Sequence, residues 1–220
     1  MTTEPLILLV PGLNNSGPAH WQSQWEAALP NASRAELSSW DDPRRFLWMN
    51  QIDRAVRRAA RPVILVAHSL GCHAVASWAE HEQVGSGSQV LGALLVAPPD
   101  VEKPDVDPRL ARFAPVNRSP LPFPSILVAS RDDTYIDFGR AKRLARIWKS
   151  RFVDAGWLGH INAESRLQGW PFGRFLLRQL QTMTLPPPEP LLAGRAYEAW
   201  LASRGGAGAG RPSRGRPSAA

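Results

Sequence analysis

Ser69 stands in the string Ala67-His68-Ser69-Leu70-Gly71, directly after the apolar run Val63-Ile64-Leu65-Val66. A serine hydroxyl is a poor nucleophile at neutral pH. It becomes an effective one beside a base, with a group that orients the base and donors for an oxyanion. A buried-strand pattern running into a serine with small residues two positions to either side has the shape of a nucleophile elbow. That strained strand-to-helix turn lifts the hydroxyl out of a sheet and leaves unpaired helix N–H groups beside it. Small-x-Ser-x-Gly strings also occur by chance, but here Ala74, Val75, Trp78 and Ala79 follow at helical spacing. The chemistry this pattern predicts is nucleophilic attack by Ser69 on an acyl carbon.

The partners such a serine needs lie further along the chain. Arg131-Asp132-Asp133 follows Val128-Ala129-Ser130, with Ser130 opening the turn, and Asp154-Ala155-Gly156-Trp157-Leu158-Gly159-His160 follows Val153. His160 is the candidate base, and either Asp132 or Asp133 can orient it while the other caps a turn. The loop Pro11-Gly12-Leu13-Asn14 after the first apolar run can supply a second oxyanion donor beside Leu70. Leu13 is the first choice for that donor and Asn14 the second. Asn14 and His68, next to these groups, are candidate substrate contacts. Trp40 and Trp157, on loops at the same edge, either wall a pocket or pack. Trp21, Trp25, Trp78 and Trp148 fall at helix-face spacings and read as core. Cys72 reads as a small buried packing residue.

These residues must be positioned by regular elements, and the chain alternates short apolar runs with amphipathic stretches. Strands are predicted over 6–10, 35–37, 63–67, 93–97, 125–129 and 151–154, and helices over 19–29, 45–60, 70–83, 138–149 and 172–181. A β-α-β-α rhythm with runs apolar throughout predicts a mostly parallel sheet of about six strands with helices on both faces. In such sheets ligands gather at the carboxyl ends of the strands, where each candidate above falls.

The 220 residues suit one α/β domain, placed at 1–183. Residues 184–220 are rich in Pro, Gly and Arg and predict a disordered tail. The net charge of +7 owes much to Arg195, Arg204, Arg211, Arg214 and Arg216 in that segment. No aromatic-basic platform accompanies the charge, so nucleic-acid binding is not expected. No apolar run reaches the ~18 residues of a membrane span, and the single cysteine fits a reducing compartment, so a cytoplasmic protein is expected. Neither a nucleotide loop nor metal-ligand spacing is present, and no cofactor is expected.

Several motifs together resemble one family. Pro11-Gly12, His20-Trp21-Gln22, Trp25-Glu26, Trp40-Asp41, residues 65–71, Ala97-Pro98-Pro99-Asp100, Leu121-Pro122-Phe123-Pro124-Ser125 and Gly159-His160-Ile161-Asn162-Ala163-Glu164-Ser165 look like the YdeN-like serine hydrolases. That α/β hydrolase family also includes the retinoblastoma-binding-protein-nine-like proteins. The likeness runs from the first strand to about Leu180. It implies a compact, lidless α/β-hydrolase fold with Ser69 as nucleophile, His160 as base and Asp133 as acid. Thr134 stands where the family usually has a proline. The activity implied is carboxylesterase-like hydrolysis of small esters or amides. The alternatives are a protein-interaction module on the same scaffold, or acyl transfer by the same residues.

Overall fold

The computed structural model describes residues 4–81 and 89–184. The expected tail therefore lies outside the described residues, apart from Thr184. Six strands form one sheet: β1 (Leu6–Val10), β2 (Ala32–Arg34), β3 (Val63–His68), β4 (Val90–Val96), β5 (Ser125–Ala129) and β6 (Arg151–Asp154). Their spatial order is β2-β1-β3-β4-β5-β6, and every neighbouring pair is parallel. The α-helices are α1 (Trp21–Ala28), α2 (Arg45–Arg58), α3 (Leu70–His81), α4 (Pro108–Ala111), α5 (Phe138–Ile147) and α6 (Pro171–Thr184). A 3-10 turn covers Ala163–Ser165.

The strands are apolar throughout because both faces of the sheet are covered. Side chains alternate along a strand, so β3 sends Val63, Leu65 and Ala67 into one core and Ile64 and Val66 into the other. The first core holds α2, α3 and α5 through Trp48, Ile52, Val75, Trp78, Leu144 and Trp148. The second holds α1 and α6 through Trp21, Trp25, Leu176, Leu177 and Leu180. The chain leaves β1 towards β2 on one side and returns to β3 on the other. The carboxyl ends of β1 and β3 thus flank a topological switch point, the place where such sheets form a binding crevice.

One strand falls elsewhere than expected. The sheet edge is Ala32–Arg34, not 35–37. An edge strand half open to water need not be apolar, so Ala-Ser-Arg carries no strong pattern. Ala35 and Leu37 are buried just beyond it, with the Ala35 N–H donating to the Leu9 carbonyl at 2.8 Å, which explains why they read as a strand. The four-residue α4 lay below what periodicity detects.

Candidate active site

Four loops meet at the carboxyl ends of β1, β3, β5 and β6. β3 ends at His68 and α3 begins at Leu70, so the turn between them is Ser69 alone, held left-handed at φ 54°. A non-glycine residue there is strained, and the packing around it must hold it. A Cβ on Gly71 would stand 2.4 Å from the Val10 carbonyl oxygen and 2.6 Å from that of Pro11, so only glycine lets the helix start pass the end of β1. Gly12 lies equally close on the other side, its notional Cβ 2.7 Å from the Ser69 Cβ.

The Ser69 Oγ is 2.8 Å from His160 Nε2. His160 Nδ1 lies 3.0 and 2.9 Å from the two oxygens of Asp133. A carboxylate can only accept, so Nδ1 carries the proton and the Nε2 lone pair faces the serine hydroxyl. The Asp133 side chain is fully buried and also accepts the Tyr135 N–H at 2.9 Å. Asp132 points elsewhere. Its Oδ1 accepts the Ser130 hydroxyl at 2.6 Å and the Gly159 N–H at 2.9 Å, bonds that hold its pKa below the usual value, the Ser130 bond foremost. The structure therefore brings Asp133, and not Asp132, to the imidazole.

The sequence profile of a family described as serine hydrolase matches residues 7–179. The chain belongs to the serine hydrolase family. None of the curated proteins matches it. Among solved structures, a YdeN-like hydrolase of Pectobacterium atrosepticum is 32% identical, over 83% of this chain and 94% of that one, with a TM-score of 0.73. The YdeN product of B. subtilis is 18% identical over 81% of this chain and all (100%) of its own, with a TM-score of 0.64. Est1E of Butyrivibrio proteoclasticus, solved with ferulic acid bound, shares the fold at 14% identity and a TM-score of 0.59, over 82% of this chain and 91% of that one. This serine hydrolase is thus YdeN-like, with the all-parallel sheet of the α/β hydrolases.

The remaining expected site residues are distributed as follows. Leu70 is the first residue of α3, so its N–H has no intrahelical acceptor. In the β1 loop the Asn14 N–H donates to the Trp40 carbonyl at 2.8 Å, whereas the Leu13 N–H makes no hydrogen bond among the described residues. Leu13 is accordingly the free donor of the two. Asn14 and Asn15 both have φ 62°, a tight left-handed pair whose own side chains face outward or brace the loop. Asn14 is exposed at this edge. Trp157 is 71% exposed, and Trp40 is half-buried with its ring 5.6 Å from that of Trp48.

His68 corrects the expectation of a substrate contact. It is 5% exposed, and its Nε2–H donates to the His160 carbonyl at 3.0 Å, from behind the site. Burial first, and then the repulsion a proton on this ring would meet from protonated His20 or His160, pushes its pKa well below the usual value, so the ring is neutral at pH 7. His20, with its ring centroid 4.6 Å from that of His68, is likewise held down to about 4, by burial first and then by Arg34 and His160. Cys72 is buried, with its thiol pKa pushed up by desolvation, and packs as expected. Among the described residues no group of three or more His, Cys, Asp or Glu gathers as a metal site. No described helix is long and apolar enough to cross a membrane.

Sequence reading missed Tyr135, and gave Ser130 only the opening of the turn that carries the two aspartates. The Tyr135 ring lies 4.3 Å from that of His160, and Ser130 accepts the Leu158 N–H at 2.8 Å and so helps fix the His160 loop. Tyr135 comes two residues after the acid, a spacing that an aspartate-led turn brings back over its own carboxylate.

Proposed function

We propose that the protein is a carboxylesterase-like serine hydrolase that cleaves small ester or amide substrates through an acyl-enzyme on Ser69. The observation that carries this reading is the unbroken hydrogen-bonded series Ser69–His160–Asp133 at the switch point of the sheet. His160 Nε2 takes the hydroxyl proton as Ser69 Oγ bonds to the substrate carbonyl carbon. The carbonyl electron pair moves onto oxygen, where the N–H groups of Leu13 and Leu70 receive the negative charge. Asp133 keeps His160 in the tautomer that accepts at Nε2 and stabilises the imidazolium. Collapse expels the alcohol or amine, which leaves with the proton from Nε2. Water then repeats the sequence on the acyl-enzyme, releasing the acid and restoring Ser69. Family membership and this ordering of three groups together support hydrolysis of small molecules. Asn14, Leu13, Tyr135 and Trp157 are the residues of the same loops best placed to meet a substrate.

The test is labelling of the purified full-length chain with a fluorophosphonate, alongside hydrolysis of p-nitrophenyl esters of graded chain length. Ser69→Ala is expected to lose labelling and to lower turnover by roughly 10³-fold or more. Labelling or turnover in Ser69→Ala equal to that of the parent overturns the reading.

A further inference from the structure

The first turn of α1 has no part in that chemistry, although His20-Trp21-Gln22 is a distinct motif of the chain. All three residues are almost wholly buried, at 5%, 1% and 0% exposure. Buried polar groups cost free energy unless bonded, so where these side chains spend their hydrogen bonds is informative. The His20 Nδ1 accepts the Gln22 N–H at 3.1 Å and caps the helix. The Trp21 Nε1–H donates at 2.8 Å to the carbonyl of Ile161, the residue after His160. The Gln22 Nε2–H donates at 3.0 Å to the Val66 carbonyl in β3, and its Oε1 accepts the Ser16 hydroxyl at 2.7 Å.

These bonds reach three separate parts of the site. Ile161 is buried and left-handed at φ 50°, and with His68 on the His160 carbonyl, two consecutive carbonyls of the base loop are held from beneath. Val66 lies three residues before Ser69. Ser16 closes the loop that carries Leu13, and Arg34 holds the same loop by bonds of 2.8 Å each to the Asn15 side chain and the Ser16 carbonyl. One helical turn therefore spans base loop, nucleophile strand and oxyanion loop. Any buried indole or amide needs a partner, as Trp148 finds one at the Asn117 carbonyl, but these three bonds all end on the elements that carry the site.

We propose that Trp21 and Gln22 are positioning residues, Trp21 fixing the base loop against the nucleophile and Gln22 fixing the oxyanion loop against β3. The inference rests on the acyl-enzyme reading above. Catalytic groups tolerate displacements of only about 0.5 Å, and a 1 Å error costs on the order of 10² in rate. The two links differ in what they hold. Loss of the Trp21 bond loosens the proton acceptor, while loss of the Gln22 bonds loosens a donor used only when the oxyanion forms.

The experiment compares Trp21→Phe and Gln22→Met with the parent in kcat and KM for a p-nitrophenyl ester, and in Ki for a boronic acid that forms a tetrahedral adduct on serine. Trp21→Phe is expected to lower kcat by roughly 10–100-fold with KM within about threefold. Gln22→Met is expected to raise the boronate Ki by a similar factor, again with little change in KM. Trp148→Phe is the control, since it removes another buried indole bond, to the Asn117 carbonyl at 3.0 Å. It should lower Tm comparably and leave kcat unchanged. Parent-like kcat and Ki in both variants, or an equal kcat loss in Trp148→Phe, overturns the proposal. If either variant does not fold, Ser16→Ala tests the Gln22 link by the same Ki. Exchange of the Trp21 indole N–H in the parent tests the other link, and an unprotected N–H overturns it. Full activity in Ser69→Ala removes both readings, whereas its loss together with parent-like Trp21→Phe and Gln22→Met removes this one alone.

Discussion

Two adjacent aspartates do different work in this site. Asp133 faces the imidazole from a fully buried position, while Asp132 accepts from Ser130 and Gly159 at the surface. Asp133→Asn should keep the fold but allow the wrong tautomer of His160, lowering kcat by as much as ~10⁴. Asp132→Asn should cost far less, because it weakens a brace on Gly159 and leaves the reacting groups in place. Steady-state kinetics of both variants decide the matter, and exchanged phenotypes would move the acid to Asp132. Spacing alone left the pair open, since both carboxylates follow the same strand, and only the family resemblance pointed to Asp133. The decision depends on which way a four-residue turn folds back, a property of the Ser130 hydroxyl bonds and the Tyr135 N–H. Neither leaves a periodic trace in the chain.

At the scale of elements, the elbow exists because β1 and α3 approach with no room for a side chain between them. Gly71→Ala would press a methyl against two backbone carbonyls, and neither can move as a flexible side chain would. We expect several kcal/mol of destabilisation, of the size seen for overpacked cores, read as a large fall in Tm or loss of soluble protein. A parent-like Tm in Gly71→Ala would show that this contact relaxes freely. This part of the fold was legible in the sequence, as a strand buried on both faces has an unbroken apolar run and its turn demands small neighbours. The edge strand Ala32–Arg34 was not, because a half-solvated edge has no such demand. The role of α1 was hidden for another reason. Trp21 was legible as core, but its indole bond joins residues 140 positions apart, and no local pattern records a partner so distant. His68 was misread towards the substrate because its place beside the serine fixes which strand end it occupies, not which side it faces.

Across the whole molecule, three neutral imidazoles are built into the interior, and they set its response to acid. His20 and His73 are held down to about 4 mainly by burial, and His68 is pushed well below its usual value for the same reason. In the unfolded chain each returns to about 6.5, so below that pH the unfolded state binds protons that the folded state refuses. Their contribution to stability is therefore fully present above about 6.5 and is lost as the pH falls from 6.5 towards 4. For His20 and His73 the full loss is roughly 3 kcal/mol each, against a typical total stability of 5–15 kcal/mol. The groups facing them oppose relief in different degrees. Arg34 and His160 disfavour a charge on His20, whereas Asp100 and Glu102 partly favour one on His73. Exposed carboxylates with lowered values, such as Asp154 beside Arg131, give up their stabilisation only at still lower pH. Tm measured in steps should accordingly change little between pH 8 and 7 and then drop by on the order of 10 °C by pH 5. His20 and His68 lie beside the base loop, so two of the three acid-sensitive rings border the part that carries His160, while His73 sits against Trp148 and the Pro99 carbonyl. A Tm that stays level from pH 7 to 4.5 would mean that these rings accept protons in the folded state without loss, and the neutral interior described here would be wrong.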